Sequence, residues 1–155
     1  MASSNENSLS ISLENEAAMV SLGQRLVSVL PTRLLISLSG ELGAGKSVLA
    51  RSMIQALGVT GRIKSPTYTL LETYHVPKRR IAHLDLYRLE DPDELHYLGF
   101  DDVLAEHELI LIEWPQKAGR QLAQVGSSMP HWEIGIHYSE NGRVVDVAGL
   151  EALPN

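Results

Sequence analysis

Hydrophobic positions fall along the chain in blocks of different period. Ala18, Leu22, Leu26 and Val29 share one helical stripe, so the spacing predicts a helix over 12–30, capped by Ser12 and stopped by Pro31. Leu34-Leu35-Ile36-Ser37-Leu38-Ser39 is a short apolar run with the character of a buried strand. Residues 48–57 are rich in helix formers and close at Gly58, a C-terminal cap. The polar stretch 61–68, punctuated by Gly and Pro, reads as a loop. Strands are predicted over 69–76 and 81–87, with a turn at 77–80 between them. Asp91-Pro92-Asp93-Glu94 opens a short helix whose apolar side is Leu95, Leu98 and Phe100; Gly99 breaks it, and a second covers 101–106. Leu109-Ile110-Leu111-Ile112 is an apolar strand, followed by a helix over 116–125 and a loop over 126–130. Trp132, Ile134, Ile136 and Tyr138 alternate onto one face, Asn141-Gly142 is a hairpin turn, and 143–148 returns as a strand. The whole is an α/β pattern: a mixed, mostly parallel sheet flanked by helices, with an antiparallel C-terminal hairpin.

Composition narrows this picture. A length of 155 residues with no internal repeat and no linker predicts one domain over 1–155, with a disordered tip at 1–8. There are no cysteines, which excludes a disulfide framework and thiolate metal sites and fits the cytoplasm. No apolar run approaches a membrane span, and the first residues lack the basic-then-apolar pattern of a signal peptide. The formal net charge is −6, which disfavours strong autonomous binding to nucleic acid. Lys78-Arg79-Arg80 is the only basic cluster; it is either a local nucleic-acid patch or, since three charges are a small footprint, a solvated loop. Six histidines are scattered, without the spacing of a zinc site.

Candidate chemistry centres on Gly40-Glu41-Leu42-Gly43-Ala44-Gly45-Lys46-Ser47, which reads G-x-x-x-x-G-K-S. Glycines allow backbone N–H groups to turn inward around phosphate oxygens. Lys46 brings a positive charge to the β- and γ-phosphates, and Ser47 a hydroxyl for Mg²⁺. A strand before the loop and a helix after it are the required context, since the helix N-terminus favours anions. Two acids stand where apolar strands end, Asp85 and Glu113. Ligands in open α/β sheets sit at those carboxyl ends, so both are candidates for Mg²⁺, and Glu113 also for polarising an attacking water. The plain alternative for each is a surface acid. Thr67, in Ser65-Pro66-Thr67-Tyr68, can sense the γ-phosphate as a switch hydroxyl or simply belong to a turn. Glu16, on the element just before the first strand, is a candidate to border the base. His83 reads as a hydrogen-bonded structural residue rather than a metal ligand.

Together these segments resemble the TsaE (YjeE) family of small bacterial P-loop ATPases, over about Ser12 to Val147. The family's marks stand here in order: the loop Gly40 to Ser47, the S-P-T-Y segment Ser65 to Tyr68, the H-x-D-x-Y-R segment His83 to Arg88, and the pair Glu113-Trp114. Ser47 stands where Thr is common, and either hydroxyl can hold Mg²⁺. The resemblance implies a P-loop NTPase fold and an ATPase using ATP and Mg²⁺. It also implies a role, with a TsaD-type transferase and its TsaB-type companion, in threonylcarbamoylation of the adenosine beside the anticodon of tRNAs reading codons that begin with A. Contact with tRNA would then pass through the complex. Motif by motif, it places Leu42, Gly43, Ala44, Gly45, Lys46 and Ser47 on the phosphates, Ser47, Asp85 and Glu113 at Mg²⁺, and Thr67 in a switch-like segment. Lys46, Asp85 and Glu113 are the catalytic candidates. Arg143, past the hairpin turn, either approaches the nucleotide or is an exposed edge-strand arginine. Two other readings share the fold, a small-molecule kinase and a non-catalytic nucleotide-dependent binding module. No N-K-x-D string supports a GTPase.

Overall fold

The structure is a computed structural model and describes residues 8–126, 129–150 and 152–154. Seven strands form one sheet in the order β1-β7-β6-β2-β5-β4-β3. They are β1 (Ser8–Leu13), β2 (Leu34–Gly40), β3 (Leu71–Val76), β4 (Arg79–Asp85), β5 (Leu109–Glu113), β6 (His131–Ser139) and β7 (Gly142–Ala148). The centre is parallel: β2 lies between β6 and β5, and β5 pairs in turn with β4. The margins are antiparallel, β3 against β4 on one side and β6-β7-β1 on the other. The expected mixed α/β sheet with a C-terminal hairpin is therefore observed.

The near-continuous apolar runs of β2 and β5 follow from their central place, because both faces are covered. Leu34, Ile36, Leu38, Leu109 and Leu111 pack on the side of α1 (Glu16–Val27) and α2 (Lys46–Ala56). Leu35, Leu84, Ile110 and Ile112 pack on the other side, with Leu95 of α3 (Glu94–Tyr97) and Phe100 of α4 (Phe100–Glu106). A 3₁₀ turn (Pro115–Ala118) and α5 (Arg120–Gly126) occupy the span read as one helix over 116–125. Among the described residues no helix is long and apolar enough to cross a membrane.

Two predictions need correction. Arg79 and Arg80 do not lie in a solvated loop over 77–80: they open β4, where Arg79 donates to Pro31 O at 3.1 Å and Arg80 to Glu108 at 2.8 Å. Ser12 does not cap a helix; it lies in β1, opposite Val144 of β7. Ser8, Ser10 and Ser12 alternate with Leu9, Ile11 and Leu13, the period of a strand, and β7 supplies the partner. The helix starts at Glu16, where Asn15 Oδ1 accepts from the Ala18 amide at 2.9 Å. The predicted stripe survives in the buried Leu22 and Leu26, joined by Met19. Of the tip predicted to be disordered, residues 1–7 lie outside the described residues, and Ser8 is already in β1.

Candidate functional site

The site forms where β2, β4 and β5 end together. β2 runs into the glycine loop, and α2 starts at Lys46. Gly45 has φ 118°, in the left-handed region where a side chain is strained. A Cβ there would also come within 2.8 Å of Met19 Cε. The loop can thus turn tightly enough to aim its amides at the space before α2.

Lys46 is buried, and its Nζ donates to the carbonyls of Gly40 at 2.7 Å and Glu41 at 2.8 Å. The ammonium also lies 4.3 Å from the ring centroid of Trp114. Burial lowers the Lys46 pKa, while the charges of Glu113 and Asp85 oppose that shift. Trp114 itself has φ 57°, so the chain turns sharply after Glu113. Its indole fills the space between Lys46 and Tyr87, whose ring centroid is 5.0 Å away.

Asp85 and Glu113 are exact neighbours in the β4–β5 register, which puts both carboxylates on one face at one level. Neither is a surface acid: they are 5% and 2% exposed. Glu113 Oε1 accepts from Ser47 Oγ at 2.8 Å, and Glu113 Oε2 contacts His83 Nε2 at 2.7 Å. Asp85 Oδ1 accepts from the Tyr87 amide at 3.0 Å, and Oδ2 from Thr67 Oγ1 at 3.4 Å. Burial pushes the Asp85 carboxyl above the usual value, and Glu113 adds to this; the Tyr87 amide, His83 and Thr67 pull it back. Leu42, Gly43, Gly45, Lys46, Ser47, Thr67, Asp85 and Glu113 all line one cleft of about 270 Å³.

Across the loop lies a second cavity of about 180 Å³, lined by Glu16, Met19, Ala44 and Arg143 among others. The two outlying candidates, Glu16 and Arg143, both line it. Arg143 is not an edge-strand arginine, because β1 covers β7, and its side chain is half-buried. Its Nε donates to Ala44 O at 3.1 Å, and its guanidinium lies 4.1 Å from the ring of Tyr138. Tyr138 Oη donates to Leu42 O at 3.0 Å, so the hairpin grips the loop at two carbonyls.

Sequence reasoning missed the contacts of Trp114 and Tyr138. Trp114 was visible only as half of a Glu-Trp pair. Tyr138 alternates onto one face with Trp132, Ile134 and Ile136, yet unlike those three it is 48% exposed, and it reaches the loop. An aromatic at the end of an alternating strand, beside a hairpin turn, was the available signal.

A strand, glycine loop and helix, with acids at the ends of two adjoining strands, define the P-loop class of nucleotide-binding α/β folds. Within it, the family model described as "Threonylcarbamoyl adenosine biosynthesis protein TsaE" matches residues 13–145, and the chain belongs to that family. A Haemophilus influenzae protein named tRNA threonylcarbamoyladenosine biosynthesis protein TsaE is 40% identical over 145 residues, 90% of this chain and 89% of that one. Its namesake from Synechocystis is 38% identical over 119 residues, 73% and 74% of the two chains. In fold, the chain is similar to the crystal structure of YdiB from Bacillus subtilis, with TM-score 0.73 and 23% identity over 92% of this chain and 86% of that one.

Proposed function

We propose that this chain is a Mg²⁺-dependent ATPase that serves threonylcarbamoylation of the adenosine beside the anticodon, in tRNAs reading codons that begin with A. It would act with a TsaD-type transferase and its TsaB-type companion. Family membership supports the pathway. The observation that carries the chemistry is the convergence of Lys46, Ser47, Asp85 and Glu113 in one cleft at the mouth of a phosphate loop.

The loop amides, at the N-terminus of α2, bind the phosphates. Lys46 adds positive charge beside them. The donors facing this space are hard oxygens, the Ser47 hydroxyl and the Asp85 and Glu113 carboxylates, and they fit Mg²⁺. When bound, that ion supplies charge neutralisation at the transferring phosphoryl group. Glu113 is placed to orient and polarise the attacking water, and Thr67, hydrogen-bonded to Asp85, to respond to the γ-phosphate. Glu16 and Arg143 flank the cavity into which the rest of the nucleotide extends. A net charge of −6 agrees with tRNA contact made through the partners; the work itself would be done in the cytoplasm, where tRNA is modified.

The test is phosphate release from ATP without any acceptor, with and without Mg²⁺ and the transferase pair. Mg²⁺-dependent release that rises with the pair is expected. Phosphoryl transfer only to an added small molecule would favour a kinase, and tight nucleotide binding with no turnover would favour a binding module.

A further inference from the structure

His83 is fully buried, yet it makes a polar contact through one ring nitrogen only. Its Nε2 meets Glu113 Oε2 at 2.7 Å, while Nδ1 has no hydrogen-bond partner. A carboxylate can only accept, so Nε2 carries the proton and donates it. A polar ring with an orphaned nitrogen in the interior opposes folding, and leucine at this position would not carry that cost. Its neighbours in the same row, Ile81 before it and Leu111 across from it on β5, are apolar. Packing therefore does not account for a histidine here, and the contact with Glu113 does.

The geometry points to His83 as a positioning residue: it fixes the Glu113 carboxylate so that Oε1 stays at the Ser47 hydroxyl, at the mouth of the phosphate cleft. The placement follows from the register. Asp85 pairs with Glu113 and His83 with Leu111, so His83 is one step back on the same face and reaches Glu113 diagonally. With Oε2 held from inside the sheet, the carboxylate cannot rotate about its terminal bond without losing the imidazole. Ser47 then holds the other oxygen at 2.8 Å. Glu113 has its own backbone anchored as well, since Glu113 O accepts from the Leu86 amide at 3.1 Å. Outer-shell donors of this kind typically matter 10–100-fold in activity or metal affinity when lost.

This inference rests on the proposed Mg²⁺-dependent ATPase reading, and the experiment separates the two. His83→Met keeps an apolar body of similar size and removes the donor; His83→Gln returns an N–H near the Nε2 position. Each is measured in the full chain with the transferase pair for turnover, and alone for ATP affinity with Mg²⁺ and with EDTA. His83→Met is expected to lower turnover about 10- to 100-fold and to shrink the gain in ATP affinity on adding Mg²⁺, with affinity in EDTA unchanged. His83→Gln should recover most of both. In a Glu113→Gln background, His83→Met should remove little more. Parent-like turnover and Mg²⁺ response in His83→Met, beside an impaired Glu113→Gln, would overturn the positioning role alone. Equal losses in His83→Met and His83→Gln at unchanged melting temperature would overturn it too. Glu113→Gln with parent-like turnover would overturn the ATPase site itself. If His83→Met does not fold, His83→Gln still decides: a parent-like Mg²⁺ response supports the donor, and a lost one at native melting temperature refutes it.

Discussion

Lys46 is held in the interior by two loop carbonyls and an indole face, and none of these is a counter-ion. Burial opposes its charge, and the carboxylates of Glu113 and Asp85 support it in part. Lys46→Ala should therefore abolish productive ATP binding while leaving the circular dichroism spectrum native, and undiminished ATP turnover would refute the phosphate-loop assignment. Asp85→Ala and Glu113→Ala should differ from it. ATP binding in EDTA should survive or improve, because a negative charge near the phosphates is gone, while turnover falls by about 10² or more. Away from the site, Glu108 accepts from the Arg80 guanidinium at 2.8 Å and from its backbone amide at 2.7 Å, which holds its carboxyl down at about 2, from an ordinary 4.5. A depressed folded pKa means stabilisation that is complete above pH 4.5 and lost as pH falls through about 2. Glu108→Gln should melt below the parent at pH 7, and the gap should close across that window in thermal scans; the effect stays modest because Arg80 is half-exposed.

At the scale of elements, legibility followed locality. The strand–loop–helix unit was readable because eight contiguous residues carry its conformation, and the acids at 85 and 113 because parallel strands end on the ligand side. The β1–α1 boundary was misread because the strand-period alternation covers only six residues at 8–13, and the partner that makes it count, β7, is more than a hundred residues away. Trp114 and Tyr138 were missed as site residues for a similar reason: their contacts depend on where β5 and β6 lie beside β2. Tyr138 pairs across the hairpin with Arg143, and the two hold Leu42 O and Ala44 O of a loop that the local sequence does not link to them. Gly142, at the hairpin turn, is where β7 meets the end of β1. A Cβ there would fall onto the Leu13 carbonyl and within 3.0 Å of Glu14 Cα. Both are backbone and cannot swing aside. Gly142→Ala should destabilise by about 1–3 kcal/mol in denaturant titration. It should also weaken ATP binding, because the hairpin grips the glycine loop. Parent-like stability would show that β1 can slide away from the hairpin at no cost.

For the molecule as a whole, the arrangement of arginines bears on how the proposed turnover would be controlled. Arg88 lines the phosphate cleft beside Asp85 and Glu113, but its guanidinium lies 4.4 Å from the ring of Tyr68. Tyr68 is 80% exposed and follows directly on Thr67, the hydroxyl that contacts Asp85. This cation, which shares the cleft with Asp85 and Glu113, is thus tied to a surface aromatic on the switch-like segment. A partner that engages Tyr68 can release Arg88 toward the phosphates, or bring its own positive charge. An arginine placed on a transferring phosphoryl group contributes about 10³ to 10⁵ in rate. The chain alone should accordingly hydrolyse ATP slowly, and the transferase pair should accelerate it. Coupling of this kind is reciprocal for binding: if the partner changes ATP affinity, ATP must change partner affinity by the same factor. Hydrolysis should be measured with and without the pair, and association with ATP, ADP and no nucleotide. Arg88→Ala separates the two sources of charge, since it should erase the stimulation if Arg88 is released and leave it if the partner supplies the cation. Full activity in isolation, together with association indifferent to nucleotide, would show that assembly does not control this site.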